Sequence, residues 1–259
     1  MEGKRLVILD LDGTTANTLP TILECYRLTS KKMGRPEPTH EELMAGLGGS
    51  LYYNLKRMFG LNESEIAEAV SIYRGYYVAM GDSMVKPFDG IIEAVEELRS
   101  EGYLIGIATL KYEEIAKQLI KDWKKEHLFD TFHGADYGNV LTKADLIGMC
   151  LDDTGCAPQD AVMIGDSPDD CRSARKRRVH FIAASYGYSL PKDLCIREMI
   201  PYVEKASEIP SKVASMFDRR SQPTILNPVS SPSASYLTFL ESRTALMVAV
   251  LSPSPTFRN

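Results

Sequence analysis

The sequence has few cysteines, no long apolar run and no excess of basic residues. Its five cysteines form no CxxC pair, and an odd number without a regular framework is typical of free thiols in a reducing compartment. Only four consecutive apolar residues, 6–9, precede the first aspartate, which is fewer than a secretory signal needs. No stretch approaches the length of a membrane-spanning helix. We therefore expect a cytoplasmic protein that makes no use of a membrane.

The charge balance also argues against one class of partner. The chain has 30 basic and 35 acidic residues, a net charge of -5, whereas a nucleic-acid-binding surface is normally basic. The dense basic run at residues 172–178 is expected to be a solvated helix face rather than a binding patch. With 259 residues, 44% of them hydrophobic, the chain has room for one large or two modest domains.

The N-terminal segment predicts a buried strand that ends in two acidic residues. Residues 6–9 read L-V-I-L and run directly into Asp10 and Asp12. An apolar run of this length suits a strand of a parallel sheet, covered on both faces. Because side chains alternate along a strand, the two carboxylates would share one side at the strand's C-terminal end, the edge where open α/β sheets bind ligands. The simpler interpretation is a polar turn at Asp12 and Gly13.

The rest of the chain alternates between strand and helix patterns. Further strands are predicted at residues 103–108, 129–135, 161–164 and 179–184, with amphipathic helical segments between them. Such alternation favours an α/β fold with a Rossmann-like, doubly wound parallel sheet.

A helical block interrupts this alternation. Residues 16–84 carry helical patterns without a strand pattern, so we predict an inserted all-helical cap domain. The α/β core would then comprise residues 1–15 and 85–218. Residues 219–259 are rich in serine and proline, which favours a disordered tail.

Polar residues follow four of the predicted strands, in order along the chain. Each has a simple structural explanation alone: a helix N-cap, a surface lysine, a turn. Their common placement at strand ends instead favours one site at the edge of the sheet. The residues concerned are Asp10, Asp12, Thr109, Lys143, Asp166 and Asp170.

These motifs resemble those of the haloacid dehalogenase-like phosphohydrolases. The segment Asp10-Leu-Asp-Gly-Thr14 is similar to the first motif of that family. The helical block is similar to the small α-helical cap of the subgroup that includes phosphoglycolate phosphatase and β-phosphoglucomutase. The resemblance covers about residues 5–215. It implies Mg²⁺ as cofactor and catalysis through an aspartyl-phosphate.

The resemblance also implies a role for each matching residue. The catalytic residues would be Asp10 as nucleophile, Asp12 as general acid/base and Lys143 as the lysine that neutralises charge. The metal ligands would be Asp10, Asp12 through its backbone carbonyl, Asp166 and Asp170, the last acting either on a metal-bound water or on Lys143. Phosphate binding would use Gly13, Thr14, Thr109 and Leu110, through the Thr109 hydroxyl and backbone N–H groups. An acid at position 12 points to phosphate esters or anhydrides, since the dehalogenases of the family lack one there.

Two departures from the family pattern stand out. Leu110 replaces a frequent asparagine, so a substrate contact is expected to be missing. Arg177 and Arg178 replace a small pair, and nothing in the sequence explains them.

We expect a Mg²⁺-dependent phosphatase, monomeric or a small homo-oligomer, that acts on a small phosphorylated metabolite such as phosphoglycolate. A phosphomutase and a non-catalytic binding or regulatory protein remain alternatives.

Overall fold

The protein is built around one parallel sheet. A computed structural model describes residues 4–47, 50–80, 85–138 and 140–218. Six parallel strands lie in the order β5-β4-β1-β6-β7-β8, which confirms the predicted fold class. They are β1 (Leu6–Leu9), β4 (Leu104–Tyr112), β5 (Thr131–Ala135), β6 (Ala161–Gly165), β7 (His180–Ala184) and β8 (Tyr202–Val203).

The sheet carries helices on both faces because its central strand is apolar throughout. All four side chains of β1 are fully buried. Leu6 and Ile8 belong to one hydrophobic cluster, and Val7 and Leu9 belong to another on the opposite face, as the two-residue period of a strand requires. Burying each such side chain contributes about 1.5–3 kcal/mol, so β1 anchors the sheet and fixes where its polar end lies.

The described residues also form a two-stranded ribbon and ten α-helices. Strand β2 (Ala16–Asn17) pairs antiparallel with β3 (Lys86–Pro87). Helices of the insertion between these strands are α1 (Leu19–Lys32), α2 (His40–Ala45), α3 (Leu51–Phe59) and α4 (Glu63–Met80). The others are α5 (Ile91–Ser100), α6 (Glu113–Asp122), α7 (Lys143–Thr154), α8 (Pro168–Lys176), α9 (Lys192–Arg197) and α10 (Ile209–Phe217).

The helical insertion, residues 19–80, follows the predicted pattern except at its start. Ala16 and Asn17 form a strand where only helix was expected, because they pair with the returning chain at β3. The insertion packs its own core, which is shared with Ala116 and Leu119 of α6. Its status as a separate cap domain stays a prediction, and the predicted tail at residues 219–259 lies outside the described residues.

Strands β4 and β8 of the main sheet also differ from the prediction. Strand β4 continues to Tyr112, four residues beyond its predicted end, because Thr109 and Tyr112 pair with Gly134 and Ala135 of β5 across a register shift. Strand β8 was not predicted, since two residues are too few for a periodic signal. In the described part of the chain, no helix combines the length and the apolar character that crossing a membrane demands.

The structure gives a physical account of Arg177. Its Nε donates to the Ala144 carbonyl at 2.6 Å, and its Nη2 lies 3.0 Å from a carboxylate oxygen of Asp145. The guanidinium therefore ties the end of α8 to the first turn of α7. Gly148 leaves the space, since a methyl group there would lie 2.8 Å from the guanidinium carbon. The basic run thus contains one arginine that links two helices.

Replacing Arg177 by alanine should lower the free energy of unfolding by about 1–2 kcal/mol, because the Ala144 carbonyl and the Asp145 carboxylate both lose a charged donor from α8. Urea unfolding measures this loss. The matched control is Arg172→Ala in the same run, whose half-exposed side chain pairs with Asp169 on its own helix and should cost below about 0.5 kcal/mol. Equal losses in the two variants would contradict the linking role.

Candidate active site

Polar residues from separate elements meet at the C-terminal edge of the sheet. Asp10 follows β1, Thr109 lies near the end of β4 and Asp166 follows β6. Lys143 is the first residue of α7, whose start is set by a capping box between Thr142 and Asp145. Because neighbouring parallel strands end on the same side, residues more than 150 positions apart share one cleft.

Lys143 is the buried cation at the centre of the site. Its Nζ lies 2.6 Å from Asp10 Oδ1 and 2.8 Å from Asp170 Oδ1, and it donates to the Ala108 carbonyl at 3.0 Å. Burial by itself would lower the pKa of this lysine, but the two carboxylates raise the pKa above its ordinary value. Lys143 therefore remains protonated and partly neutralises both aspartates.

Two hydrogen bonds fix the backbone of Asp10, and the surroundings of its side chain destabilise the charged form of the carboxyl group. Its N–H donates to Ile164 of β6 at 2.9 Å, and the Thr15 hydroxyl donates to its carbonyl at 2.7 Å. Burial raises the pKa of Asp10 to about 7, and the neighbouring Asp170 adds to the rise although Lys143 opposes it. A buried carboxylate in this state gains from any further positive charge placed beside it.

Three carboxylates form a group that fits a divalent cation. Oxygens of Asp10, Asp166 and Asp170 all lie within 4.8 Å of one another. Burial, followed by the charge of Asp170, raises the pKa of Asp166 well above its ordinary value. The Oδ1 atoms of Asp10 and Asp170 meet Lys143 at ion-pair distance and accept no well-formed hydrogen bond among the described residues. An all-oxygen donor set with excess negative charge suits Mg²⁺.

Two glycines allow the backbone to approach Asp166. A methyl group on Gly13 would lie 2.4 Å from an Asp166 oxygen, and Gly13 also has a left-handed φ of +83°. A methyl group on Gly187 would lie 2.3 Å from the Asp166 side chain. No other residue type fits these positions without moving the carboxylate. The missing side chain at Gly13 therefore allows its backbone to pack directly against the Asp166 carboxylate.

The Asp12 carboxylate lies outside this acidic group and has another partner. Its two oxygens are 3.1 and 3.3 Å from Lys111 Nζ, which also lies 3.9 Å from the ring centre of Tyr77 on α4. Lys111 thus joins an aspartate of the sheet edge to the helical insertion. Lys111 follows Leu110 directly in the sequence, but no sequence pattern assigned it a role. The predicted metal contact of the Asp12 carbonyl stays a prediction.

Only some of the residues predicted to bind phosphate line the cleft. Thr109 and Leu110 line the cleft together with Asp10, Asp12 and Lys143. The Thr109 hydroxyl accepts from the Lys111 N–H at 3.1 Å, so its own proton can be donated elsewhere. Thr14 is fully buried, and its carbonyl accepts from the Tyr186 hydroxyl at 2.9 Å; its contact with phosphate stays a prediction.

Tyr188 is a site residue that sequence reasoning missed. Its N–H donates to Asp166 at 2.7 Å, while its hydroxyl accepts from the N–H groups of Thr18 and Leu19 at 2.8 and 3.0 Å. Tyr188 therefore connects the acidic group to the start of the insertion. Its signal in the sequence is the segment Ala184-Ser-Tyr-Gly-Tyr188 at the end of β7, which resembles the loop that follows the fourth motif in the family.

Side chains of the insertion form the opposite wall of the cleft. The wall includes Tyr26, Asn54, Tyr73, Arg74 and Tyr77. A small molecule that fills this cleft would therefore meet aromatic and amide groups from the insertion.

The fold and site define a class: α/β proteins with aspartates and a lysine gathered at the C-terminal edge of a parallel sheet. A model of the haloacid dehalogenase-like hydrolases matches residues 7–184, and the chain belongs to that family. This confirms the resemblance seen in the sequence.

The chain is similar to proteins whose names describe different activities. The chain is 31% identical over 188 residues to the tyrosine-protein kinase PtkA of Mycobacterium tuberculosis, covering 72% of this chain and only 64% of that protein. It is 27% identical to a phosphoglycolate phosphatase of Thiobacillus denitrificans, covering 80% and 96%. A haloacid dehalogenase-like protein of Streptococcus pneumoniae has a similar structure, with a TM-score of 0.71, 29% identity and coverage of 82% and 99%.

Proposed function

We propose that the protein is a phosphatase that hydrolyses a small phosphorylated metabolite through an aspartyl-phosphate on Asp10. The observation that carries the proposal is the contact of Asp10 with Lys143 at 2.6 Å. Asp10 also belongs to the cluster of three aspartates that suits Mg²⁺. A nucleophile for phosphorus, a fixed cation and a cation site are thereby present in one cleft.

In the first step, a carboxylate oxygen of Asp10 attacks phosphorus and the bond to the leaving oxygen breaks. Lys143 stabilises negative charge on the transferring oxygens, and the Thr109 hydroxyl donates to one of them. Mg²⁺ bound by the acidic group would offset the repulsion between Asp10 and the anionic substrate. The products of this step are an acyl phosphate on Asp10 and an alcohol.

Asp12 is suited to move the protons in both steps. As an acid it would protonate the leaving oxygen, and as a base it would then accept a proton from the water that cleaves the acyl phosphate. Asp12 is a candidate for this role because its carboxylate lies outside the group formed by Asp10, Asp166 and Asp170. Lys111 holds that carboxylate at 3.1 Å, and Lys111 in turn contacts Tyr77 of the insertion. Contact with the insertion would therefore influence the orientation of Asp12.

The relative named phosphoglycolate phosphatase supports a phosphoglycolate-like substrate. The relative named tyrosine-protein kinase supports a second candidate, transfer of a phosphoryl group to a tyrosine hydroxyl. The chemistry at Asp10 would be common to both, and the acceptor, water or tyrosine, distinguishes them. No contact in the described residues favours a phosphomutase over these two.

Hydrolysis of para-nitrophenyl phosphate tests the proposal. Wild-type protein should release phosphate in the presence of Mg²⁺. In EDTA the rate should fall at least about 100-fold, because the repulsion between Asp10 and the anionic substrate is then restored. Adding back Mg²⁺ should restore the rate, which serves as the control. A parallel incubation with labelled ATP and a tyrosine-containing peptide distinguishes the kinase: label in the peptide without release of phosphate from the ester would contradict the phosphatase.

A further inference from the structure

One cation of the cleft, Arg74, has no anionic partner within the described ranges of the chain. Arg74 lies on α4 of the insertion, lines the cleft and is only 8% exposed. Its guanidinium carbon is 4.3 Å from the ring centre of Tyr112 and 4.7 Å from that of Tyr137. The two rings are nearly perpendicular, at 82°, so they form an aromatic corner around the cation.

The hydrogen-bonding capacity of Arg74 is mostly unused. Its two terminal nitrogens reach the same acceptor, the Tyr137 carbonyl, at 3.4 and 3.5 Å, the outer limit for a hydrogen bond. Its Nε is buried and has no hydrogen-bond partner in the part of the chain that the structure describes. A guanidinium has five N–H donors, and leaving buried donors unsatisfied is costly.

No carboxylate among the described residues lies at ion-pair distance from Arg74. The charge of Asp136 acts on it, but the oxygens of Asp136 accept from the backbone N–H groups of Gly138, Val140 and Leu141. Burial lowers the pKa of Arg74, as expected for a cation that is removed from water. The other cleft cations, Lys111 and Lys143, are each paired with aspartates.

Aromatic faces stabilise a cation electrostatically but accept no strong hydrogen bond. The aromatic rings therefore hold the guanidinium in place while its N–H donors remain available to a ligand. Two parallel N–H donors of a guanidinium match the two oxygens of a carboxylate or phosphate. We propose that Arg74 binds a second oxyanion of the substrate while Thr109 and Lys143 hold the phosphoryl group that is transferred. This inference rests on the proposed phosphatase function and narrows its substrate class.

Arg74 lines the same cleft as Thr109 and Lys143. Its guanidinium lies against Tyr112, three residues beyond Thr109 on β4. The substrates to test first therefore have a second anion close to the phosphoryl group. Phosphate esters of small hydroxy acids and pyrophosphate both meet this description.

The test compares substrates that differ in the second anion. Arg74→Gln should lower kcat/KM for 2-phosphoglycolate by about 10- to 100-fold, chiefly through KM, as expected for the loss of hydrogen bonds to a charged group. The value for 2-hydroxyethyl phosphate, of similar length without the second charge, should change less than about threefold. For 2-phosphoglycolate, the kcat/KM of Arg74→Lys should lie between those of the wild type and Arg74→Gln, because the positive charge remains but the paired N–H donors are lost. Pyrophosphate forms a third arm: a larger fall than with phosphoglycolate identifies the second oxyanion as phosphate.

Arg27→Gln is the matched control, since Arg27 is a partly exposed arginine of the insertion that pairs with Glu24 and Glu37; it should leave all three values unchanged. Equal losses on charged and uncharged substrates would overturn the inference, because Arg74 would then only join the insertion to the sheet edge. Unchanged values in Arg74→Gln would also overturn it while leaving the phosphatase intact. Failure of the wild type to hydrolyse any of these esters, or para-nitrophenyl phosphate, with Mg²⁺ would overturn the function itself.

Discussion

Asp10→Asn should abolish turnover of phosphate esters, lowering kcat by at least about 10³-fold, the scale seen when a covalent nucleophile is removed. The amide keeps the size of the carboxyl group but is a neutral and much weaker nucleophile. The loss should be the same for esters with good and poor leaving groups, because no acyl phosphate forms with either. Single-turnover measurements with para-nitrophenyl phosphate would quantify it.

The stability of the same variant separates chemistry from folding. Burial and Asp170 raise the pKa of Asp10 to about 7, so the native protein holds this carboxylate at a cost above neutral pH. A neutral amide removes that cost while Asp170 continues to pair with Lys143. Thermal unfolding of metal-free Asp10→Asn at pH 8 should therefore occur at the same temperature as in the wild type, or higher.

Asp193→Asn on the exposed face of α9 is the matched control and should change neither activity nor stability. Retention of more than about a tenth of the wild-type kcat in Asp10→Asn would contradict covalent catalysis at this residue.

Lys143→Met should reduce both activity and stability, because it removes the cation between two buried carboxylates. Breaking a buried ion pair by deleting one partner typically costs about 3–5 kcal/mol, and kcat/KM should fall by about 10²- to 10³-fold with the loss of charge stabilisation. Urea unfolding in EDTA and steady-state kinetics with Mg²⁺ measure the two effects. The exposed Lys192, paired with Glu204, provides the control Lys192→Met.

The cost of Lys143→Met should depend on pH. The folded-state pKa of Asp10, about 7, is above its ordinary value of 3.8, so the folded state binds the proton more tightly than the unfolded chain. Stability from this group is therefore present at low pH and is lost as the pH rises from about 4 to 7. Protonation removes the repulsion that Lys143 relieves, so the difference between variant and wild type should narrow from pH 8 to pH 5. A constant difference would contradict the ion-pair explanation.

Much of the fold and the acidic end of the site could be predicted from local patterns. The run at residues 6–9 is apolar at every position, and such a run in an alternating chain has one stable place, the centre of a parallel sheet. Parallel strands then bring their carboxyl ends together, so Asp10, Thr109 and Asp166 had to approach one another. Their placement follows from topology and needs no knowledge of individual contacts. The roles given to them remain to be tested by the variants above.

The sequence was less informative where contacts depend on packing. Strand β4 extends to Tyr112 only because β5 pairs with it, and this extension places Lys111 beside Asp12 and Tyr112 beside Arg74. Arg177 looked like one charge in a basic run, yet its guanidinium joins two helices because Gly148 leaves room for it.

The sequence by itself determined the α/β class, the strand ends and the residue types gathered at the sheet edge, because hydrophobic periodicity and parallel pairing are local or topological properties. Only the tertiary structure decided what faces those residues from the insertion. The contacts of Tyr77 with Lys111 and of Arg74 with Tyr112 and Tyr137 join segments that no periodicity relates. They depend on how the insertion packs against the sheet edge, and that packing sets the wall of the cleft opposite Asp10.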